Sequence, residues 1–145
     1  LLVSTLKELF EGNKALFEGL WIEAHWDWEQ RHPVLHFSFD AMDYEQSGLE
    51  SALSRALDGQ AKRLGLELSL SNYKARFNEL ITAAHEKYGQ VVLLIDEYDK
   101  PIINNLDHLD VANQNRDLMR DFFGALKGLD QYLKFTFFTV KSYLS

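Results

Sequence analysis

Hydrophobic and polar residues alternate along the chain with two different periods, and each period predicts a type of secondary structure. Apolar residues at helical spacing predict helices over about 2–10, 49–64, 73–88 and 110–129. The stretch VLHFSF follows Pro33 and places an apolar residue at every second position from Leu35, which is typical of a strand. Ser47 and Ser71 precede two of the helical stretches, and we expect them to be the capping residues.

Two further stretches predict strands. Val91–Ile95 is entirely apolar, as expected for a strand that is covered on both faces. Near the end of the chain, LKFTFFTV predicts a strand over Phe135–Val140, with Thr139 at its carboxyl end. The predicted order is therefore α–β–α–α–β–α–β, and such alternation is typical of a parallel sheet layered by helices. We expect an α/β fold.

Composition narrows the functions that this fold can have. The chain has 145 residues, 46% of them hydrophobic, which is enough for one domain with a sizeable core. With 22 acidic and 15 basic residues the formal charge is −7, so direct binding of a nucleic-acid backbone is not expected. The absence of Cys excludes thiolate chemistry and fits a cytoplasmic protein. No apolar run approaches the ~20 residues of a membrane-spanning helix.

Acidic residues directly follow the apolar strand, in the stretch VVLLIDEYDKPI. Ligands of parallel sheets bind at the carboxyl ends of the strands, so Asp96 and Glu97 are candidate site residues. An Asp at this position can hold Mg²⁺ beside the phosphates of a nucleotide, directly or through water. The adjacent Glu can polarise the attacking water. This pattern is that of a Walker B element, and the alternative is that the acids only cap a helix or solvate a loop. Thr139, at the end of another strand, is suited to sense the attacking water or the terminal phosphate, or is simply a residue that favours strands.

Other polar residues leave alternatives open. Asp40 and Asp43 follow the first strand at the same edge of the sheet. They either cap the following turn, which we favour, or approach the nucleotide. Arg116 and Arg120 lie on the helix before Thr139 and are possible charge partners. No standard spacing of metal ligands occurs among the five His residues.

His36 and three Trp residues each have a structural and a functional interpretation. His36 lies in the first strand, and we expect it to be packed or hydrogen-bonded and not catalytic. Trp21, Trp26 and Trp28 lie close together in an irregular stretch. We favour a role in pinning this loop to the core, with stacking on a nucleic-acid base as the alternative.

Three stretches, LLVSTLKELFEGNKALFEGLWI, HEKYGQVVLLIDEYDKPI and ALKGLDQYLKFTFFT, resemble the AAA-ATPase-like domain family of bacterial and archaeal P-loop proteins. The resemblance runs from Leu1 to about Thr139. It implies a three-layer P-loop NTPase core with Mg²⁺ and ATP as cofactors. It also implies that Asp96 binds magnesium, most simply through water, that Glu97 is the catalytic base and that Thr139 is a sensor.

The chain departs from the family pattern at both ends. The family has a Gly-rich phosphate loop ending in Gly-Lys-Ser just before the stretch that Leu1 begins, and it typically reads Thr-Gly-Val-Ser-Lys-Phe where this chain reads TVKSYLS. We therefore expect 1–139 to form a partial domain that lacks the phosphate loop and its strand, with 140–145 as an atypical tail. The last strand would then be an exposed sheet edge, which predicts self-association.

The resemblance implies binding and hydrolysis of Mg-ATP, coupled to a neighbouring domain in a bacterial, cytoplasmic parent protein. Many family members carry a PD-(D/E)XK nuclease-like domain further along the chain. The fragment alone is expected to be inactive. The alternative is a nucleotide-sensing or protein-interaction module without hydrolysis. A nuclease site at DEYD is disfavoured, because nucleases of that type place their acids on neighbouring hairpin strands.

Overall fold

Three parallel strands form the centre of the molecule, with helices packed against both faces of the sheet. The structure, a computed structural model, describes residues 1–140, so the predicted tail lies outside the described residues except for its first residue. The strands are β1 (Val34–Ser38), β2 (Val91–Asp96) and β3 (Leu133–Phe138). The helices are α1 (Leu2–Phe10), α2 (Tyr44–Ser47), α3 (Leu49–Arg63), α4 (Tyr73–Tyr88), α5 (Lys100–Ile103) and α6 (Leu109–Gly124). Three short 3₁₀ turns are formed by Lys14–Phe17, Trp21–Ala24 and Asp130–Tyr132.

β2 is the central strand, in the order β1-β2-β3. It pairs in parallel with both neighbours, and its last residue, Asp96, lies opposite Ser38 of β1. All five apolar residues of Val91–Ile95 are fully buried. A strand with neighbours on both sides and helices on both faces has no contact with water, which is why its sequence is uniformly apolar. The predicted α/β fold is confirmed.

Alternate residues of the strands point to opposite faces and build two separate cores. Leu93 belongs to the larger core, together with side chains of α3, α4 and α6. Val92 and Leu94 belong to the smaller core, together with Val3 and Phe10 of α1. Full burial of each such side chain contributes about 1.5–3 kcal/mol. Helices therefore cover both faces, as the predicted three-layer architecture requires.

α1 runs antiparallel to the strands. Its last residue, Phe10, accepts a hydrogen bond from the N–H of His32 (2.9 Å), just before β1, and stacks on Phe135 near the start of β3 with 5.4 Å between ring centroids. A helix of nine residues is about 13 Å long, close to the length of the strands. The first turn of α1 therefore lies toward the carboxyl ends of the strands.

Both predicted helix caps are wrong. Ser47 is the last residue of α2, and its hydroxyl donates to the carbonyl oxygen of Asp43 (2.6 Å). α3 begins after Gly48, whose φ of +85° makes the sharp junction between the two helices and favours a residue without Cβ. α4 is capped by Asn72 instead of Ser71, because the Asn72 side-chain oxygen accepts from two N–H groups of the first turn, at 3.0 and 3.2 Å.

The last helix and the last strand end earlier in the sequence than their patterns predict. α6 ends at Gly124, and the chain turns through Gly128, at φ +84°, where the apolar pattern had predicted helix up to residue 129. β3 then begins at Leu133 and ends at Phe138. Thr139 is therefore the first residue beyond the strand, at the same edge of the sheet as Asp96.

Tryptophans hold the segment between α1 and β1. Trp26 packs edge-on against Phe10 with 5.2 Å between ring centroids, and Trp28 contacts Phe17 at 5.4 Å. Trp26 therefore pins the segment to the core on the α1 face, as predicted, whereas Trp28 packs on Phe17 within the segment itself. Trp21 differs, because it is 73% exposed and stacks only on His25 of its own turn.

The two edges of the sheet differ in how far their backbone groups are covered. Gln60 of α3 covers the β1 edge, since its side-chain amide accepts from the N–H of His36 (3.3 Å) and donates to the His36 carbonyl oxygen (2.8 Å). Arg63 donates to the carbonyl oxygen of Val34 at the same edge. β3 pairs only with β2 among the described residues, and Phe135 on this strand remains 36% exposed. The β3 edge is thus the open one.

Candidate functional site

The carboxyl ends of the three strands meet at one edge of the sheet and carry polar side chains. Asp40 follows β1, Asp96 ends β2 with Glu97 next to it, and Thr139 follows β3. The structure brings the three predicted site residues into direct contact, because Thr139 is hydrogen-bonded to both of the others. Because the strands are parallel, this edge is also where a ligand is expected.

Asp96 is held from both neighbouring strands. Its backbone carbonyl oxygen accepts from the N–H of Phe39, just beyond β1 (3.1 Å), and its carboxylate Oδ1 accepts from the hydroxyl of Thr139. Its side chain lies on the α1 face, because it follows Val92 and Leu94 in the alternation of the strand. Within the described part of the chain, Oδ2 forms no hydrogen bond and can take a further partner.

Glu97 turns the chain out of the sheet. Its φ is +51°, and it is the only described residue other than glycine with a positive φ. This left-handed conformation costs a residue with a Cβ about 1–2 kcal/mol. The Glu97 N–H donates to Thr139 Oγ1 at 2.8 Å, which offsets part of that cost. The side chain is 34% exposed, so the carboxylate is accessible to solvent at this edge.

Lys100 also belongs to the site, although the sequence analysis assigned it no role. Its ammonium binds the carboxylate of Asp40 and lies 3.9 Å from Oε2 of Glu97. The hydrogen bond with Asp40 is the main cause that raises the pKa of Lys100, so the group stays cationic. The parallel pairing of β1 and β2 could have indicated the contact of Lys100 with Asp40, because it brings the residues that follow the two strands close together. Asp43 occupies the N-cap position of α2, as favoured, although its side chain forms no cap hydrogen bond there, and Asp40 binds Lys100.

Residues 1–142 match the model of the family described as Predicted AAA-ATPase. The chain belongs to this AAA-ATPase-like family. A protein of Azotobacter chroococcum mcd 1, named as an uncharacterized protein in the vnfD 5' region, is 41% identical over 142 residues. The match covers 93% of this chain and 27% of the Azotobacter protein, so the chain spans about a quarter of that relative's length. No solved structure gives a significant match.

A magnesium ion bound by this AAA-ATPase-like chain would depend on Asp96. Within residues 1–140, no three His, Asp or Glu side chains come close enough together to hold a metal ion by themselves. Beside a nucleotide, Mg²⁺ needs only one or two carboxylates, because phosphates and water supply its other ligands. Asp96, with Oδ2 open, fits that smaller role. The donor set does not fit a free-standing metal centre.

The AAA-ATPase-like chain keeps its two candidate arginines away from Asp96. Arg116 and Arg120 of α6 line an apolar groove with Tyr98 and Phe138. Phe138 and Thr139 are consecutive and so point to opposite faces of the sheet. The groove therefore lies on the face opposite Asp96, and the structure does not pair the arginines with this acid. In the part of the chain that the structure describes, no helix is long and apolar enough to cross a membrane.

His36 lies on the same face of the sheet as Asp96. Burial lowers the pKa of His36, and the negative charge of Asp96 opposes this effect without cancelling it. The imidazole is therefore neutral at physiological pH. Its backbone N–H and carbonyl are both bound by Gln60. His36 is a packed residue of the β1 edge, as the sequence predicted.

Proposed function

We propose that this AAA-ATPase-like chain forms the part of a Mg-ATP-binding and hydrolysing domain that carries its Walker B element, LIDEYDKPI. One observation carries the proposal. Asp96 and Glu97 leave the central strand at the ligand-binding edge of a parallel sheet, and both are hydrogen-bonded to Thr139 beyond the next strand. Membership of the AAA-ATPase-like family supports a nucleotide as the ligand.

The two acids have separate roles in this proposal. Asp96 would hold magnesium through its open Oδ2, most simply by way of a water molecule, and the ion would supply positive charge at the phosphates. Glu97 accepts a proton from the attacking water as the new O–P bond forms and the bond between the terminal phosphorus and the bridging oxygen breaks, with ADP as the leaving group. Its carboxylate is partly exposed, so water has access to it. Consecutive residues at a strand end point in different directions, which allows one acid to serve the metal and the other the water.

The direction of α1 supports a phosphate-binding segment at the same edge. The resemblance implies a Gly-Lys-Ser loop that leads into α1, and the first turn of α1 lies toward the carboxyl ends of the strands. Such a loop would offer backbone N–H groups and a Lys to the phosphates.

The open edge of β3 supports one more strand in the complete sheet. In P-loop proteins of this kind, the strand before the phosphate loop pairs beside the strand that corresponds to β3. We propose that this strand covers β3 in the full-length protein, and that β3 pairs with a second copy when the strand is missing. An uncovered edge with half-exposed Phe side chains favours such pairing.

The work that hydrolysis drives belongs to the whole protein. Because the chain spans 27% of its Azotobacter relative, that relative has ample length for further domains. We propose that hydrolysis is coupled to a neighbouring domain in the bacterial cytoplasm, and a nuclease-like domain is the candidate that the resemblance implies. Direct contact of this segment with nucleic acid is not part of the proposal, because its net charge is −7.

Turnover of Mg-ATP by the full-length protein tests the proposal. We would compare the wild type with Glu97→Gln and use Glu86→Gln, an exposed acid of α4, as the matched control. We expect Glu97→Gln to keep ATP affinity and to lose turnover by about 100-fold or more, and Glu86→Gln to behave as the wild type. Equal turnover in Glu97→Gln would refute the base assignment. Binding without turnover in every variant would favour the nucleotide-sensing module, and no binding at all would refute the nucleotide function.

A further inference from the structure

Thr139 forms four hydrogen bonds, one to each of the four residues at the exit of β2. Its N–H donates to the carbonyl oxygen of Ile95 (2.9 Å), and its own carbonyl oxygen accepts from the N–H of Tyr98 (3.1 Å). Its hydroxyl donates to Oδ1 of Asp96 and accepts from the N–H of Glu97 (2.8 Å). The backbone bonds would form with any residue except Pro at this position. The two hydroxyl bonds require Thr or Ser.

The hydrogen-bonding capacity of the hydroxyl is largely used by these contacts. A hydroxyl has one hydrogen to donate and two lone pairs to accept with. The hydrogen is directed to Asp96, and one lone pair accepts from Glu97. An oxygen of a nucleotide's terminal phosphate is an acceptor and needs a donor. Thr139 could contact such an oxygen only by giving up its bond to Asp96.

We propose that Thr139 is a positioning residue, which acts on the reaction through Asp96 and Glu97 and does not contact the terminal phosphate. The bond to Oδ1 fixes the Asp96 carboxylate so that Oδ2 is presented to the metal. The bond from the Glu97 N–H stabilises the left-handed turn through which the Glu97 side chain leaves the sheet. This role rests on the proposed function of the two acids.

Thr suits this task better than Val or Ser, the residues of similar size. The branched Cβ restricts χ1, so the hydroxyl is held in one direction. Val has the same shape and favours strands, but it cannot form either hydroxyl bond. Ser can form both bonds but is less restricted. The comparison of Val with Ser at position 139 therefore separates the hydrogen bonds from the shape of the side chain.

Amide hydrogen exchange measures the contact without any nucleotide. We would follow the Glu97 amide in wild type, Thr139→Val, Thr139→Ala and Thr139→Ser, and use the Leu94 amide in the middle of β2 as the internal reference for global stability. Thr136→Val is the control for the same substitution within β3. We expect the Glu97 amide to exchange about fivefold faster, relative to Leu94, in the Val and Ala variants and within about twofold of wild type in the others. Unchanged exchange in both variants without the hydroxyl would overturn the proposal.

Nucleotide binding by the full-length protein then separates positioning from phosphate sensing. We would measure the Mg²⁺ concentration for half-maximal ATP binding and the ratio of ATP to ADP affinity. A positioning role predicts that Thr139→Val raises the Mg²⁺ requirement about fivefold and leaves the ATP-to-ADP ratio unchanged, with Thr139→Ser close to wild type. A lower ratio at an unchanged Mg²⁺ requirement would overturn the proposal in favour of a sensor. Absence of nucleotide binding in the wild type would refute the proposed function instead, and the proposed positioning of Asp96 for magnesium would fall with it.

Discussion

Lys100 is hydrogen-bonded through its ammonium to the carboxylate of Asp40, which lies 60 residues earlier in the chain. The bond joins the loops that follow β1 and β2, and it leaves the same ammonium 3.9 Å from Glu97 Oε2. The Lys100 side chain is 19% exposed, whereas that of Asp40 is 64% exposed. The cation is thus covered by the protein and held in place between the two acids.

This arrangement predicts that Lys100 orients the Glu97 carboxylate. Replacing Lys100 with Met keeps most of the apolar stem and removes the charge, so Glu97 can adopt directions away from the attacking water. We expect turnover of the full-length protein to fall about tenfold or more in Lys100→Met, at unchanged ATP affinity. Lys100→Arg should retain most of the activity, because a guanidinium can bind both acids.

The control for this prediction is Lys74→Met. It makes the same substitution at a Lys of α4 that forms an ion pair with Asp121 of α6. It should leave turnover unchanged. Equal turnover in Lys100→Met and the wild type would contradict an orienting role. A parallel loss in Lys100→Met and Lys100→Arg would show that a positive charge alone is not sufficient and that the size and position of the ammonium group matter.

Tyr73 and Asp121 form a second pair, which predicts a pH effect on stability. The phenol donates to the Asp121 carboxylate (2.6 Å), and burial, followed by that hydrogen bond, raises the pKa of Tyr73 to about 12. An unfolded Tyr titrates near pH ~10. The raised pKa therefore contributes stability that is complete below pH ~10 and is lost as the pH rises through about 12. Absorbance titration should show a late-titrating phenol that Tyr73→Phe removes, and its persistence in that variant would contradict the assignment.

Gln60 predicts a test of how the β1 edge is protected. Its amide forms hydrogen bonds with both backbone groups of His36, and Gln60→Ala removes these bonds. We expect the free energy of unfolding, measured by chemical denaturation, to fall by about 1–2 kcal/mol. Ala is the best helix former, so a change in helix propensity does not explain the loss. The substitution also removes the hydrogen bond from Arg63 to Gln60 Oε1 (2.9 Å). Gln60→Glu can still accept from the His36 N–H and should lose less. A neutral or stabilising effect of Gln60→Ala would show that water replaces the amide at no cost.

The fold was predictable because the signals for its elements are local. Val91–Ile95 reads as a buried strand from its own five residues, and the alternation of strands and helices predicts parallel pairing. The nearness of Asp96, Glu97 and Thr139 agrees with the same rule, since the ends of neighbouring parallel strands meet at one edge, but the hydrogen bonds between them were not predicted. Their proposed chemistry came from residue type at that position.

The errors concern choices between similar residues and contacts between distant ones. Ser71 and Asn72 are adjacent, and both can cap a helix, so only the backbone geometry decides which one does. The contact between Lys100 and Asp40 depends on the path of two loops and on the direction of a long side chain, which no local pattern specifies. Sequence therefore predicted the strand-exit acids but missed the cation between them.

The open edge of β3 predicts that this chain self-associates. The outward backbone groups of β3 have no partner strand among the described residues, and Phe135 offers a half-exposed apolar side chain beside them. Phe135→Lys should reduce the fraction of dimer and larger species in light scattering, because a charge on an edge strand opposes strand addition. Leu70→Lys places the same charge at another exposed apolar residue, outside the sheet, and should leave association unchanged. A monomeric wild-type chain at high concentration would contradict the prediction, and equal effects of the two substitutions would assign the association to general surface hydrophobicity instead of the β3 edge.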